Sequence, residues 1–272
     1  MTSQQANVLI LRSAGTNCDR ETAFAFQSCG ASVELVHINK LLSGEVSLRN
    51  YHILAIPGGF TYGDDIASGR ILANELRLHL GGAFKQFMAD GKLAIGICNG
   101  FQILVKAGFL PGFSFTQNTP KDVVQDATLT YNDSGKFEDR WVHLKAEGSC
   151  VWTEGLKNLV YFPVAHAEGK FIPKDDETLR KLKENKQIIF RYCSSDGREP
   201  VYPECPNGST DYIAGITDTT GRILGLMPHP ERHFLFTQHP FWTRLEKNSD
   251  LGDGAKIFQN GVEYVKKHLL RG

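Results

Sequence analysis

The polarity pattern changes period along the chain, and the changes mark out its elements. Short apolar runs at residues 7–12, 33–37, 52–56 and 93–97 read as buried strands. Between them, residues 19–29 and 67–88 place apolar side chains at helical spacing, and the first of these stretches stops at Gly30. A further amphipathic run, residues 101–107, follows the last strand almost without a gap. Strands separated by helical stretches predict an α/β fold, an open and mostly parallel sheet with helices on both faces. In such a sheet ligands bind at the carboxyl ends of the strands. Three loops leave that edge, at residues 13–17, at residues 58–65 and at Cys98.

The second half has a different rhythm. Residues 126–130 and 140–145 read as short strands around a turn at residues 132–135, and residues 159–165 and 187–192 as two more. Residues 212–216 and 222–227 form a hairpin signal across Thr219, Thr220 and Gly221. These are antiparallel strands added to the sheet. Residues 175–186 predict a charged, solvated helix, and residues 254–269 a closing one; residues 236–253 have no period and read as an irregular surface excursion. No linker interrupts the chain, so residues 1–272 are expected to form a single domain.

Charge and cysteine usage narrow the chemistry. Lys plus Arg and Asp plus Glu number 30 each, so no global field draws the chain to nucleic acid or to a membrane surface. The start of the chain has neither a basic nor an apolar stretch, so no secretory signal is expected, and the cytoplasm is the expected compartment. The six cysteines are scattered, with no CxxC and no Cys/His cluster at zinc spacing. They are expected to be reduced thiols, without a metal site.

Cys98 stands apart from the other five. It ends the strand at residues 93–97, with Gly96 and Gly100 on either side and a helix directly behind. An isolated cysteine after an apolar run is commonly a small buried hydrophobe. Flanking glycines, costly in regular structure, favour a strained turn that exposes the thiol and puts it at the positive end of a helix dipole. That is the cysteine version of a nucleophile elbow. The elbow needs a base, and the segment after the last strand supplies His229 and, two residues on, Glu231. In an extended segment both would point to one face, and a carboxylate beside an imidazole selects its tautomer and stabilises the imidazolium. Pro57, Gly58 and Gly59 end another strand, where a glycine backbone can aim N–H groups at a developing oxyanion; the amide of Asn99, after the nucleophile, is the second donor. A plain strand-end turn is the competing reading of Gly58 and Gly59.

The motifs together are similar to those of class I (triad) glutamine amidotransferases, whose fold is flavodoxin-like. Gly15-Thr-Asn-Cys-Asp19, Gly58-Gly-Phe-Thr-Tyr-Gly-Asp64, Gly96-Ile-Cys-Asn-Gly-Phe-Gln102, Ala165-His-Ala-Glu-Gly169 and Gly225-Leu-Met-Pro-His-Pro-Glu-Arg232 resemble the glutaminase subunit of phosphoribosylformylglycinamidine synthase. The resemblance spans residues 8 to about 234. It implies that Cys98 attacks the side-chain amide of L-glutamine, His229 shuttles protons, Glu231 orients it, and Gly59 and Asn99 form the oxyanion hole. It also implies that Gln102 holds substrate and that Asn132, Ser134 and Phe137 lie near it; a simple hairpin turn is the alternative for these last three.

Asp139 departs from the family pattern, which commonly has a cysteine there, and the chain is longer than the usual free-standing subunit, with additions around 173–186 and 235–253. No Gly-x-x-x-x-Gly-Lys-[Ser/Thr] phosphate loop is present. The resemblance therefore implies no cofactor in this chain. ATP, magnesium and the ribonucleotide belong to a partner synthetase subunit, and a further partner is a small accessory subunit. Two alternatives stand beside this reading: a glutaminase serving another biosynthetic synthetase, and a non-catalytic cysteine redox sensor of the same fold.

Overall fold

The computed structural model describes residues 5–113 and 124–270. The apolar runs of the first half are strands β1 (Asn7–Arg12), β2 (Ser32–His37), β3 (Ile53–Ile56) and β4 (Leu93–Ile97). β3 and β4 are buried at every residue, as strands covered on both faces must be. Helices α1 (Asp19–Ser28), α2 (Ile38–Leu42), α3 (Arg70–Ala89) and α4 (Asn99–Lys106) lie between or after them. The five-residue α2 is too short for its period to show in the sequence. α3 starts at Arg70 and not at residue 67, because Gly69 before it takes a left-handed φ of 72°.

The second half contributes β5 (Ala127–Thr130), β6 (Glu138–Ala146), β7 (Leu159–His166), β8 (Lys170–Pro173), α5 (Asp176–Glu184), β9 (Ile188–Cys193), β10 (Ile213–Thr217), β11 (Ile223–Leu226) and α6 (Ala255–His268). Nine strands form one sheet in the order β2-β1-β3-β4-β11-β10-β9-β6-β7. Its first five strands are parallel, and the rest add on antiparallel through the β10–β11 hairpin. β2 lies on one side of β1, and β4 lies beyond β3 in the other direction. Right-handed crossovers therefore put α1 and α3 on opposite faces. α1 meets α6 through Phe26 and Phe258, whose rings are 5.0 Å apart, edge to face.

One pairing differs from the expected one. The turn after β5 does not fold that strand back onto β6; β5 pairs with β8 in a separate two-stranded sheet, while β6 lies between β7 and β9. The reason is the turn itself. Asn132 N–H bonds to Ala167 O and its side-chain amide to His166 O, so the turn is anchored to the end of β7. α5 is amphipathic as well as charged: Leu182 is buried, while Arg180 pairs with Glu177 and Glu184 in solvent.

Candidate active site

The parallel strand order brings the ends of β3, β4 and β11 side by side, and the expected loops meet there. Cys98 is the single residue between β4 and α4, with φ 53° and ψ −107°. A left-handed non-glycine residue costs about 1–3 kcal/mol and persists only where its surroundings hold it. Here its N–H bonds to Leu226 O at 2.8 Å, and its carbonyl accepts from Phe101 and Gln102 at 3.0 and 3.1 Å. The elbow is so tight that a Cβ on Gly100 would stand 1.9 Å from Ile56 O. Cys98 is 5 % exposed, in contrast to the exposed thiol expected from the turn. The neighbouring loops cover it, and its thiol reaches the Ala165 carbonyl at 3.7 Å.

His229 and Glu231 do not lie on an extended segment. Pro230–His233 is a 3-10 turn, and it brings the imidazole Nδ1 to 2.6 Å from Glu231 Oε1. Nδ1–H donates to the carboxylate, which turns Nε2 away from it, and that atom is buried with no hydrogen-bond partner among the described residues. Burial pulls the imidazole pKa down, but the Glu231 charge, aided by Cys98, overrides it and holds His229 well above the usual histidine range. His229 N–H bonds to Pro163 O at 2.8 Å, which fixes the turn against β7. A Cβ on Gly58 would stand 2.7 Å from His229 Cε1 and 3.4 Å from Cys98 Cβ, so the imidazole and the Cys98 side chain meet over that glycine.

The two oxyanion candidates border the same place. Gly59 has φ 149°, and a Cβ there would be 2.6 Å from Gly15 O, so only glycine fits. Asn99 heads α4, where no intrahelical carbonyl is available to its amide. Its side-chain Oδ1 accepts from Thr61 Oγ1 at 2.8 Å, tying the helix start to the loop after β3.

The family model for the CobB/CobQ-like glutamine amidotransferase domain matches residues 5–265. The chain belongs to this family. It is 47 % identical over 266 residues to a phosphoribosylformylglycinamidine synthase subunit PurQ from Dehalococcoides mccartyi, covering 97 % of this chain and 99 % of that one. A protein of the same name from Archaeoglobus fulgidus is 41 % identical, over 98 % of this chain and all of its own length. Among solved structures, one described as the structure of PurLQS from Thermotoga maritima superposes with a TM-score of 0.72 at 28 % identity, covering 96 % of this chain and 100 % of that one. A putative GMP synthase component from Thermoplasma acidophilum shares the fold, with a TM-score of 0.55 at 14 % identity, covering 98 % of this chain and 96 % of that one. Because the D. mccartyi relative has almost the same length, residues 173–186 and 235–253 are not additions relative to it.

The remaining candidates of this amidotransferase differ in how they are engaged. Gln102 is buried, with Nε2 donating to Glu168 O at 2.6 Å and Oε1 accepting from Asn99 at 2.9 Å. One N–H and one lone pair remain for another partner. Asn132 has no such reserve. Its amide donates to Lys136 O and His166 O, and its Oδ1 meets Gly169 N–H and His166 Nδ1. It braces the β7–β8 turn. Ser134 Oγ caps its own turn by accepting from Lys136 N–H. Phe137 is 49 % exposed, its ring centroid 6.2 Å from that of Phe60, where the β5–β6 and post-β3 loops face each other. Asp139 is exposed on β6, opposite Ala165.

Several participants carried no separate chemical signal in the sequence. Glu168 accepts from Ser68 N–H and lies 3.7 Å from the Lys106 ammonium, which donates to Ser68 O at 2.6 Å. His166 is fully buried beside His229, and burial pushes its imidazole down to about 3. Both belong to the Ala165–Gly169 motif, so its presence was visible and its contacts were not. Cys18 approaches the site too: its sulfur, a ring nitrogen of His229 and a Glu231 oxygen lie within 4.8 Å of one another. This is the only such grouping of metal-ligating types among the described residues, and Glu231 is already spent on the imidazole.

Proposed function

We propose that this chain hydrolyses L-glutamine to glutamate and ammonia and supplies the ammonia to a synthetase subunit. That subunit converts formylglycinamide ribonucleotide to formylglycinamidine ribonucleotide in purine biosynthesis. The observation that carries this reading is the buried grouping of Cys98, His229 and Glu231 at the sheet edge of a chain 47 % identical to a subunit of that synthase.

In the mechanism, His229 Nε2 takes the Cys98 proton and the thiolate attacks the amide carbon of glutamine. The carbonyl oxygen becomes an oxyanion, which the amides of Gly59 and Asn99 receive; each such donor contributes about 3 kcal/mol in acyl-transfer sites. His229 returns its proton to the nitrogen, the C–N bond breaks, and ammonia leaves a glutamyl thioester on Cys98. Water then attacks the thioester, His229 takes a proton from it, and the C–S bond breaks as the thiol is re-formed. Glu231 keeps the imidazole in the required tautomer throughout.

Cys98, His229 and Glu231 are 5 %, 2 % and 1 % exposed, so the chemistry takes place on buried side chains, away from bulk water. Ammonia in neutral water is mostly protonated and lost as a nucleophile, so a closed path to the acceptor site is required. The neighbour described as PurLQS supports a complex of this chain with the synthetase and a small accessory subunit. ATP and magnesium serve the synthetase and not this chain.

The test is Cys98→Ala in the assembled complex. It abolishes glutamine-dependent synthesis and leaves ammonia-dependent synthesis intact; loss of both would point to a structural role. A glutamine-analogue alkylator labels Cys98 alone, with protection by glutamine. Unprotected labelling of several cysteines would favour the redox-sensor reading.

A further inference from the structure

The first loop places a second thiol beside the base. Cys18 is 2 % exposed and is held from two sides: its N–H bonds to Gly58 O at 3.0 Å, and its carbonyl accepts from the Thr22 hydroxyl at 2.7 Å. The Arg232 guanidinium donates to its sulfur at 3.1 Å. A point one Cβ away from Gly58 lies 3.2 Å from Cys18 Sγ, 2.7 Å from His229 Cε1 and 3.4 Å from Cys98 Cβ. Three side chains from three separate loops thus converge on one glycine. The mechanism above uses two of them and leaves Cys18 without a task.

We infer that Cys18 is a positioning residue for glutamine hydrolysis, its sulfur fixed by Arg232 and backing the His229 imidazole in the orientation that serves Cys98. The inference rests on the glutaminase reading. The physical argument has two parts. A bulky sulfur packed beside the ring restricts the tilt of an imidazole that is otherwise tethered only through Nδ1 to Glu231. An N–H from Arg232 orients the sulfur as an electron-rich neighbour, and such a neighbour favours the imidazolium, the state that holds the Cys98 proton. Burial pushes the Cys18 thiol up, against a lowering by its contact with His229, so it stays a neutral neighbour. The groups facing His229 are Glu231 on its own turn, Cys98 at the elbow, Cys18 in the first loop and His166 at the end of β7, with Arg232 on the Cys18 sulfur. Glu21 of α1 stands behind Arg232 at 3.7 Å.

The experiment compares Cys18→Ala, Cys18→Ser and Cys98→Ala in the assembled complex. It follows glutaminase kcat and KM against pH, the pH dependence of Cys98 alkylation read by mass spectrometry, and the melting temperature. Cys18→Ala lowers kcat about tenfold, the scale of one lost hydrogen bond to a charged group, with KM nearly unchanged. The limb governed by His229 moves to lower pH in both the kinetic and the alkylation profile, and Cys18→Ser restores part of each. An unchanged profile overturns the inference, whether activity is retained or is lost together with the melting temperature. Glutamine hydrolysis surviving in Cys98→Ala would sink the glutaminase reading itself, a separate outcome.

Discussion

At the residue scale, the site is a set of unfavourable states held by good contacts. The imidazole of His229 is buried and charged-prone, and Glu231 is the group that makes this tolerable. His229→Ala removes the base and brings glutamine hydrolysis close to the level of Cys98→Ala. Glu231→Ala keeps the imidazole but loses its orientation and the charge that supports the imidazolium, so steady-state assays find about a hundredfold more residual activity than in His229→Ala. His166 shows the opposite balance. Its Nδ1 meets Asn132 and its Nε2 is buried without a partner among the described residues, so the folded state keeps the ring neutral down to about 3. The unfolded chain takes a proton near pH 6.5, so His166 costs stability as pH falls from there towards 3, at up to about 1.4 kcal/mol per pH unit. Urea denaturation across that window finds a curve flatter by one proton in His166→Gln. His229 does not confuse the test, since its raised pKa leaves it protonated in both states there. Cys98, His229 and Glu231 were legible as residues because glycines, prolines and carboxylate spacing are local signals. The burial of the thiol was not, because it depends on loops far away in sequence.

At the element scale, close approaches and cross-element ties position the site. The elbow works because α4 crosses β3 with no side chain between them. Gly100→Ala puts a methyl against Ile56 O, a rigid strand carbonyl, and is expected to cost about 3 kcal/mol in chemical denaturation. Lys106 on α4, Ser68 before α3 and Glu168 after β7 form a second tie. Burial lowers the Lys106 pKa and Glu168 raises it, so the pair stands or falls together. Lys106→Met leaves a buried carboxylate unpaired, and thermal or chemical melts should show a loss of about 3–5 kcal/mol. Apart from the four-residue β8, which the sequence did not announce, the strands and long helices were readable to within a few residues because their apolar periods are strong. The pairing of β5 with β8 was not, because Asn132 decides it through bonds to residues more than thirty positions away.

At the scale of the whole molecule, the site is buried at the sheet edge, and the loops that follow β3 and β5 carry exposed aromatic and aliphatic side chains. Phe60, Ile66 and Phe137 are 45 %, 68 % and 49 % exposed. A partner that binds these side chains and shifts their loops is expected to raise the rate. Glutaminase kcat of the isolated chain is therefore expected to rise on the order of tenfold or more on adding the synthetase with its substrates, as gating by a conformational step allows; equal rates would refute the coupling. No helix among the described residues is long and apolar enough to cross a membrane. By itself the sequence determined the α/β class, the strand–helix turn at Cys98, the nearness of His229 to Glu231, and the amidotransferase resemblance, since each is written in local period or in residues a few positions apart. Tertiary structure alone decided that Cys98 is covered, that His229 and Glu231 meet through a tight turn, that Asn132 is a brace, and that Cys18 stands beside the base. Those outcomes depend on which loops the strand order brings together, and contacts between residues as far apart as Cys18 and Arg232 leave no period in the chain.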